Sequence, residues 1–433
     1  MKKIFAALSI ALLATPALAQ SGTNSPYSQF GLGVLSDQGN SLNRGMNGVG
    51  LALRPHNQLN YLNPASYSAI DSLSFVFDAG LSLQMTNFKE GGVSKNANNA
   101  NFEYVVGGFR VARNFGVAFG VLPVTNIGYN YSSVGKVSRE YEDVTTAYSN
   151  TYYGTGGLHQ VFLGVGFSPI KGLSIGVNGG YLWGELDRSI TNSYTDKSIG
   201  SLTKSRYCSI ANYKLDFGLQ YEYMLNDKDR LAIGATYGLG HSLKADPTML
   251  VVNSNSQTSI ADTTKYVAYD GIDLPTQIGV GLSYSHGTKW TAGIDYSLQQ
   301  WSKAKFPMEK NVNGQMMYVP TSDLYQDRHK INAGLEYCQN TEGRSFGSRI
   351  RYRVGASYAT PHLKINGQDG PNEISVSAGV GIPIVNSINN RSVLNVSAQW
   401  VRSDAKNFIT ENTFRINVGF TFNERWFAKW KFD

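Results

Sequence analysis

The sequence predicts an all-β protein: a fourteen-stranded antiparallel transmembrane β-barrel with an N-terminal hatch inside the lumen. Three observations predict it. Apolar and polar residues alternate in segment after segment from Ser72 almost to the C-terminus. An export leader precedes them. Short and long links between the segments interleave strictly. A period of two marks strands with unlike faces, and many such strands in an exported chain suit a barrel whose apolar face meets lipid and whose polar face lines a wet lumen.

The leader has a basic end (Lys2, Lys3), an apolar core (Ile4 to Ala14) and the small-residue site Ala17-Leu18-Ala19. Residues 1–19 therefore read as a signal peptide, with Gln20 first in the mature chain and no lipidated cysteine after the cut. After the leader, no window holds the roughly 18 uninterrupted apolar residues of a spanning helix. Only 16% of the 433 residues are charged, while Gly (46) and Tyr (26) are abundant, as suits tightly packed β structure with an aromatic belt. The net charge of +7, or +5 without the leader lysines, is spread out. Nucleic-acid binding needs basic residues clustered on one face and is excluded.

Residues 20–71 do not alternate. Ser25-Pro26, Arg44-Gly45-Met46-Asn47-Gly48-Val49-Gly50 and Asn63-Pro64-Ala65 imply compact irregular backbone. Phe30, Met46, Val49, Leu51, Leu59 and Tyr61 make the stretch too apolar for a disordered tail. It reads as a plug, the hatch, packed into a barrel formed by residues 72–433.

The first barrel segment is the clearest. Leu73, Phe75, Phe77, Ala79, Leu81, Leu83 and Met85 face one way; Ser74, Asp78, Ser82 and Gln84 face the other. The second, Asn101 to Arg113, alternates poorly around Gly107-Gly108. The third, Phe115 to Tyr129, sets Phe115, Val117, Phe119 and Val121 on one face. The fourth and fifth carry Val161, Leu163, Val165 and then Leu173, Ile175, Val177. The sixth opposes Tyr213, Leu215, Phe217, Leu219 and Tyr221 to Lys214, Asp216 and Glu222. The seventh to ninth are marked by Leu231 and Ile233, by Ile278, Val280 and Leu282, and by Ile294 and Tyr296 opposite Asp295. The tenth has Ile331 and Leu335 opposite Glu336; the eleventh has Tyr352 and Val354 opposite Arg351 and Arg353. Ile374 and Val376, Leu394 and Val396, and Phe414, Ile416 and Val418 opposite Arg415 mark the last three.

Short links fall at Arg113-Asn114, Pro169–Gly172, Asn226–Asp229, His286–Thr288, Gln339–Ser348 and Asn386–Asn390. Long ones fall at Asn87–Ala100, Tyr131–Thr155, Asp187–Ser205, Lys244–Leu274, Ser302–Leu324, Pro361–Asn372 and Ser403–Thr410. An outer-membrane barrel keeps this schedule, with short periplasmic turns and long outer loops.

Chemistry is sparse. The six histidines show no metal-ligand spacing and read as rim, loop or turn residues, so no metal, cofactor or catalytic residue is expected and the chain does not read as an enzyme. Gly164-x-Gly166 and Gly279-x-Gly281 lie inside strands, where glycine relieves crowding rather than cradling phosphate. The inward charges Asp78, Lys214, Asp216, Glu222, Asp295, Glu336, Arg351, Arg353 and Arg415 form a mixed set, read as a lumenal ion-pair network between plug and wall. Cys208 and Cys338 fall at opposite ends of their strands and are expected to be free thiols. Pro123, in Leu122-Pro123-Val124, removes a ladder donor. Either the third strand ends there, or it kinks and opens a window toward lipid.

These residues resemble the FadL family of outer-membrane transporters for hydrophobic compounds, and within it the branch found in Bacteroidetes. The resemblance rests on Arg44 to Ala52, Asn63-Pro64-Ala65, the fourteen segments, Leu274-Pro275, Asp295-Tyr296 with Trp301, and Asn423 to Phe427. It implies a hatch motif at Asn63, Pro64 and Ala65 and a lateral opening at Leu122, Pro123 and Val124. The amphipathic outer-loop helices of the fatty-acid transporters are not identifiable. The implied function is passive uptake of a small hydrophobic molecule, with outer-membrane lipids as surroundings. The alternative is a barrel scaffold or shuttle that partners proteins of secretion or outer-membrane assembly.

Overall fold

Fourteen antiparallel strands close on themselves in the computed structural model, which describes residues 22–138, 145–255, 257–258, 260–384 and 392–425. The leader, the Asn386–Asn390 turn and Trp426-Phe427 lie outside the described residues. The strands are β1 (Ser74–Glu90), β2 (Val93–Ala112) and β3, which comes in a lower piece (Phe115–Pro123) and an upper piece (Thr125–Ser138). Next are β4 (Thr145–Ile170), β5 (Leu173–Tyr194), β6 (Ser201–Met224), β7 (Asp229–Gly238), β8 (Gln277–His286) and β9 (Trp290–Gln299). β10 (Arg328–Cys338), β11 (Arg351–Ala359), β12 (Asn372–Ile384), β13 (Ser392–Asp404) and β14 (Thr410–Arg425) complete the wall. β14 pairs with β1, Phe422 opposite Phe77, so no edge is left at the seam.

The alternation sorts as the sequence predicts. Leu81, Leu83 and Met85, then Ile278, Val280 and Leu282, then Ile416, Val418 and Phe420 are exposed on the outside, while Val76, Asp78 and Ser82 are buried inside. Aromatic side chains gather at both rims of the apolar band. Trp290 packs on Tyr337 (4.3 Å between ring centroids) and Phe115 on Phe167 (6.5 Å) at the end where β1 begins, here called lower. Tyr181 packs on Trp183 (6.2 Å) and Tyr213 on His241 (4.1 Å) at the upper rim. Rings that are apolar in body and polar at the tip fit such boundaries.

The long links are mostly strand rather than loop. β1 and β2 stay paired up to Gly91 and Gly92, which turn the chain with φ +54° and +83°. β7 to β11 have 9 to 11 residues, about what a bilayer crossing takes. β4, β5 and β6 have 26, 22 and 24, so they overshoot the rim as a tall sheet. Thr248–Asn255 extends that sheet by pairing with β6, and Ile260–Val267 pairs in turn with Thr248–Asn255. Hydrogen-bonding along hairpins serves the backbone of these excursions better than a loop would. Cys208 and Cys338 are free and buried, far apart along their strands as expected.

Residues 22–71 run inside the barrel. They include the short helix Ser41–Gly45, capped at both of its first-turn donors by Asn40 and Asn43, and the 3₁₀ helix Pro64–Ala69, capped by Asn63. Their backbone lies directly on the wall because the wall offers glycine there. Gly116, Gly166, Gly176 and Gly218 stand opposite one another on β3 to β6. A Cβ on any of them would come within 3.0 Å of Tyr67, Pro64 or Asn63. On the far wall, Gly334 and Gly355 leave the same clearance for Met46. Gly166 and Gly281, singled out by their Gly-x-Gly spacing, belong to this set: they make way for Pro64 and Leu51.

Adding a side chain at one of these contacts forces backbone apart. Gly176→Val is expected to destabilise the protein by about 1–3 kcal/mol. Gly347→Ala, whose Cβ meets nothing closer than 4.0 Å, is expected to stay within about 0.5 kcal/mol of wild type. Guanidinium unfolding in micelles, followed by tryptophan fluorescence, compares them; equal midpoints would mean that the inner segment is not tightly docked.

Candidate functional site: a break in the wall beside a lumenal cavity

Two wall defects coincide. On β2 the register with β1 shifts between Gly80 and Leu81, so Glu103 has no cross-strand partner and turns inward. On the neighbouring strand, pairing of β2 with β3 stops at Val105 opposite Val121. β3 is interrupted at Val124, one residue after Pro123, and its upper piece pairs with β4 alone on the barrel side. Pro123 fits here because its missing N–H falls where the ladder ends. Opposite the break, Gly156 and Gly157 of β4 have φ +115° and +136°, conformations that only glycine adopts easily. Tyr-Gly-Thr-Gly-Gly, residues 153–157, is the sequence signal for this bend; it straddles the end of the expected Tyr131–Thr155 link.

The inner segment fills the lower part of the break. Gly22 accepts a hydrogen bond from Asn101 Nδ2 (2.7 Å), and the Asn24 and Asn99 amides meet at 3.0 Å. The chain climbs along β2, turns through Pro26–Gln29 and descends along β3. There Val34 and Leu35 pair with Asn126 and Thr125, Ser36 N donates to Val124 O (3.0 Å), and Gln38 Nε2 donates to Pro123 O (3.0 Å). Higher up, the Ser28 hydroxyl accepts from Gly128 N (3.2 Å). Ser25 Oγ and Tyr27 Oη tie the turn to Glu411 and Ile409 O, each at 2.5 Å.

A cavity of about 340 Å³ lies behind the break. Leu35, Tyr61, Leu122, Val124 and Phe162 line its side toward β3 and β4; Asp37, Lys330, Gln399 and Arg415 line it elsewhere. Its size falls in the lower range of small-molecule sites. Above it, Leu32, Leu243, Trp301, Tyr325 and Leu363 form part of a buried apolar cluster in the upper part of the barrel.

Of the inward charges, Asp78, Asp295 and Arg415 bond to the inner segment, and Lys214, Asp216, Glu222, Glu336, Arg351 and Arg353 pair within the wall. Asp295 accepts from Gly50 N (2.6 Å) and Leu51 N (3.0 Å). Asp78 accepts from Asn40 Nδ2 (3.1 Å) and Tyr104 Oη (3.0 Å). Glu336 pairs with Arg351 and Arg353, both at 2.6 Å, and Arg353 lies against Gly45. Arg415 reaches Asp37 at 2.6 Å. Lys214 pairs with Asp216, its neighbour but one, and Glu222 with Arg230 at 3.6 Å; both contacts are within the wall. Asn63, Pro64 and Ala65 dock against β5 to β7, where Asn63 Nδ2 donates to Leu219 O (3.1 Å) and Ala235 O (3.3 Å). Leu122 and Pro123 are buried at the break itself, Val124 half-buried. Pro64 and Leu122 share the cavity but the motif does not touch the break.

The sequence reading missed the charges that matter most at the break. Arg44 pairs with Glu103 at 2.7 Å, with both side chains more than nine-tenths buried. Glu103 also accepts from the Ser82 hydroxyl. Asp37 is met by Arg415 and, at 3.7 Å, Lys330. Burial would push the Asp37 carboxyl up, but Lys330, Arg415 and Arg44 hold it well below the usual carboxylate range even though the cavity wets nearly a third of its side chain. Arg44 and Asp37 sit in a stretch without alternation, and Glu103 in the segment whose alternation fails, so periodicity could not assign them inward.

Comparison with known proteins follows this geometry. The sequence profile of the BamG family matches residues 1–433. No curated protein sequence matches the chain significantly. Among solved structures, CymD, described as a monoaromatic hydrocarbon channel, is 13% identical with a TM-score of 0.57, over 92% of this chain and all of its own. The toluene transporter TbuX of Ralstonia pickettii is 16% identical (0.57; 90% and 99%), and a FadL homologue from Pseudomonas aeruginosa 11% (0.59; 90% and 98%). At such identities the likeness is one of fold: the barrel is of FadL type. These neighbours are channels and transporters, not enzymes.

Removing one member of a buried pair leaves a stranded charge. Arg44→Met or Glu103→Gln is expected to cost about 3–5 kcal/mol each, and the double variant less than their sum. Additive losses in the unfolding cycle would deny the coupling. Asp37 ionises more readily in the folded chain than unfolded, so its contribution is present above the usual carboxylate range and fades as pH falls from about 4 toward the depressed value. Protease protection of residues 22–38 should fall over that window in the wild type and lose that dependence in Asp37→Asn.

Proposed function

For this chain, which belongs to the BamG family, we propose passive, energy-independent uptake of small hydrophobic molecules across the bacterial outer membrane. The observation that carries the reading is that β3 leaves β2 after Val121, just where Leu122 and Val124 line the lumenal cavity. In this reading residues 22–71 act as the hatch, the lower end faces the periplasm and residues 1–19 are removed on export. Asn63, Pro64 and Ala65 anchor the hatch to the wall, and Leu122, Pro123 and Val124 form the sill of a lateral opening.

The physical logic favours a sideways exit. An apolar solute gains about 25 cal/mol for each Å² it removes from water. Passing from the cavity into hydrocarbon keeps that gain, whereas passing down past Arg353, Glu336 and Asp295 would surrender it to a polar lumen. Because residues 22–36 occupy the break, uptake in this reading needs them to shift, while the hatch core stays on its glycines. The substrates named for the neighbours, toluene and monoaromatic hydrocarbons, indicate the size of solute that a 340 Å³ cavity suits.

Purified protein in vesicles tests this with toluene as probe. Wild-type protein should speed its entry over protein-free vesicles. Leu122→Trp, which fills the apolar side of the cavity, should lower that excess by about tenfold, the worth of some 1.4 kcal/mol. Unchanged entry in a folded Leu122→Trp protein would reject the lateral route, and no excess in the wild type would reject uptake.

A further inference from the structure

The piece of chain in the break does the work of two wall strands, and does it poorly. Gly22 to Ser25 rises beside β2 and Gly33 to Ser36 descends beside β3, joined by the turn at Pro26–Gln29. Both limbs are antiparallel to the strand they touch. Parity explains why two limbs are present: β2 and β3 run in opposite senses, so only an even number of inserted strands keeps every neighbour antiparallel. Yet only Val34 and Leu35 stand in ladder register, and the contacts recorded on the β2 side are made by asparagine side chains. The upper β3 edge is capped as far as Gly128, by a serine hydroxyl. Beyond it, among the described residues, neither Tyr129–Ser138 of β3 nor Val93–Asn98 of β2 has a strand on the side facing the break.

We propose that the break is an acceptor slot for an amphipathic β-hairpin of another polypeptide, which takes the place of residues 22–36. A regular hairpin would form backbone ladders on both edges and carry them upward along the free lengths of β2 and β3, where the resident loop makes two rungs. One apolar face suits it, because Phe102 and Phe119 beside the slot face lipid. The resident loop is the evidence for width: at its base Gly22 bonds to the Asn101 side chain of β2 while Val34 pairs with Asn126 of β3, so one limb lies on each edge. The occupant is a protein hairpin rather than a lipid tail, since both edges offer backbone donors and acceptors that hydrocarbon cannot satisfy.

The test uses the full chain in phosphatidylcholine vesicles and a defined probe: a synthetic peptide of residues 277–299, which copies the tight amphipathic hairpin β8–β9. Benzoylphenylalanine is placed at Asn98 or at Ser132, on the two edges. Both positions should give saturable adducts with the peptide, and a scrambled peptide should give at least about tenfold fewer. Ser36→Cys with Asn126→Cys, whose side chains already meet at 2.8 Å, should lock the loop in place. The lock should suppress the adducts, and reduction should restore them. Adducts that persist under the lock, that form equally with the scrambled peptide, that join only lipid or a second copy of the chain, or that do not form at all would overturn the proposal.

Discussion

Hydrocarbon leaves a backbone amide nothing to bond to. Each strand of the wall must therefore give its donors and acceptors to a neighbour, and thirteen of the fourteen do so across the apolar band without interruption of the strand. The fourteenth, β3, breaks at Val124 and leaves β2 without a partner on that side above Val105. Everything notable about the molecule gathers there: a bulge that turns Glu103 inward, two left-handed glycines on β4, and an irregular stretch of chain pressed into the opening.

That stretch is fastened differently from the rest of the inner segment. Residues 40–70 sit on bare wall backbone at the glycine contacts and on Asp78, Asp295 and the Glu336–Arg353 pair. Such contacts are close-packed and fully desolvated, so they resist displacement as a unit. Residues 22–36 meet the wall edges through hydroxyls, amides and two ladder positions, while Tyr27 and Leu32 are buried in the upper apolar cluster. A barrel that had to open would yield first where its bonds are fewest and its wall least paired.

The sequence was most legible where lipid imposes alternation. Strand number, facing and the interleaved links follow from the outward run Leu81, Leu83, Met85 and its counterparts. What lay above lipid was read as loop, because residues such as Ser189 to Tyr194 alternate without an apolar face; water on both sides removes the contrast that periodicity detects, although hairpin pairing continues. Inward charges on well-alternating strands, Asp295 and Glu336 among them, were identified. Arg44, Asp37 and Glu103 were not, since each sits where the alternation is absent or broken. Pro123 was the exception: a proline in a strand announces a missing donor whatever surrounds it, and the ladder to β2 ends two residues before it, at Val121.

Arg44 ties these observations together. Its guanidinium holds Glu103 of the bulge at 2.7 Å, donates to the Asp37 carbonyl at 2.9 Å, and reaches Asn417 of β14 at 3.1 Å. Asp37 in turn holds Arg415 and ends the descending limb that covers the break. One buried cation thus links the bulge in β2, the inner segment that carries Arg44 itself, and the foot of the loop in the wall. A cation so placed is costly to bury, and losing Glu103 would leave its charge stranded. The loop's foot and the bulge therefore share one group: Arg44 holds the Asp37 carbonyl with the same guanidinium that keeps Glu103 paired.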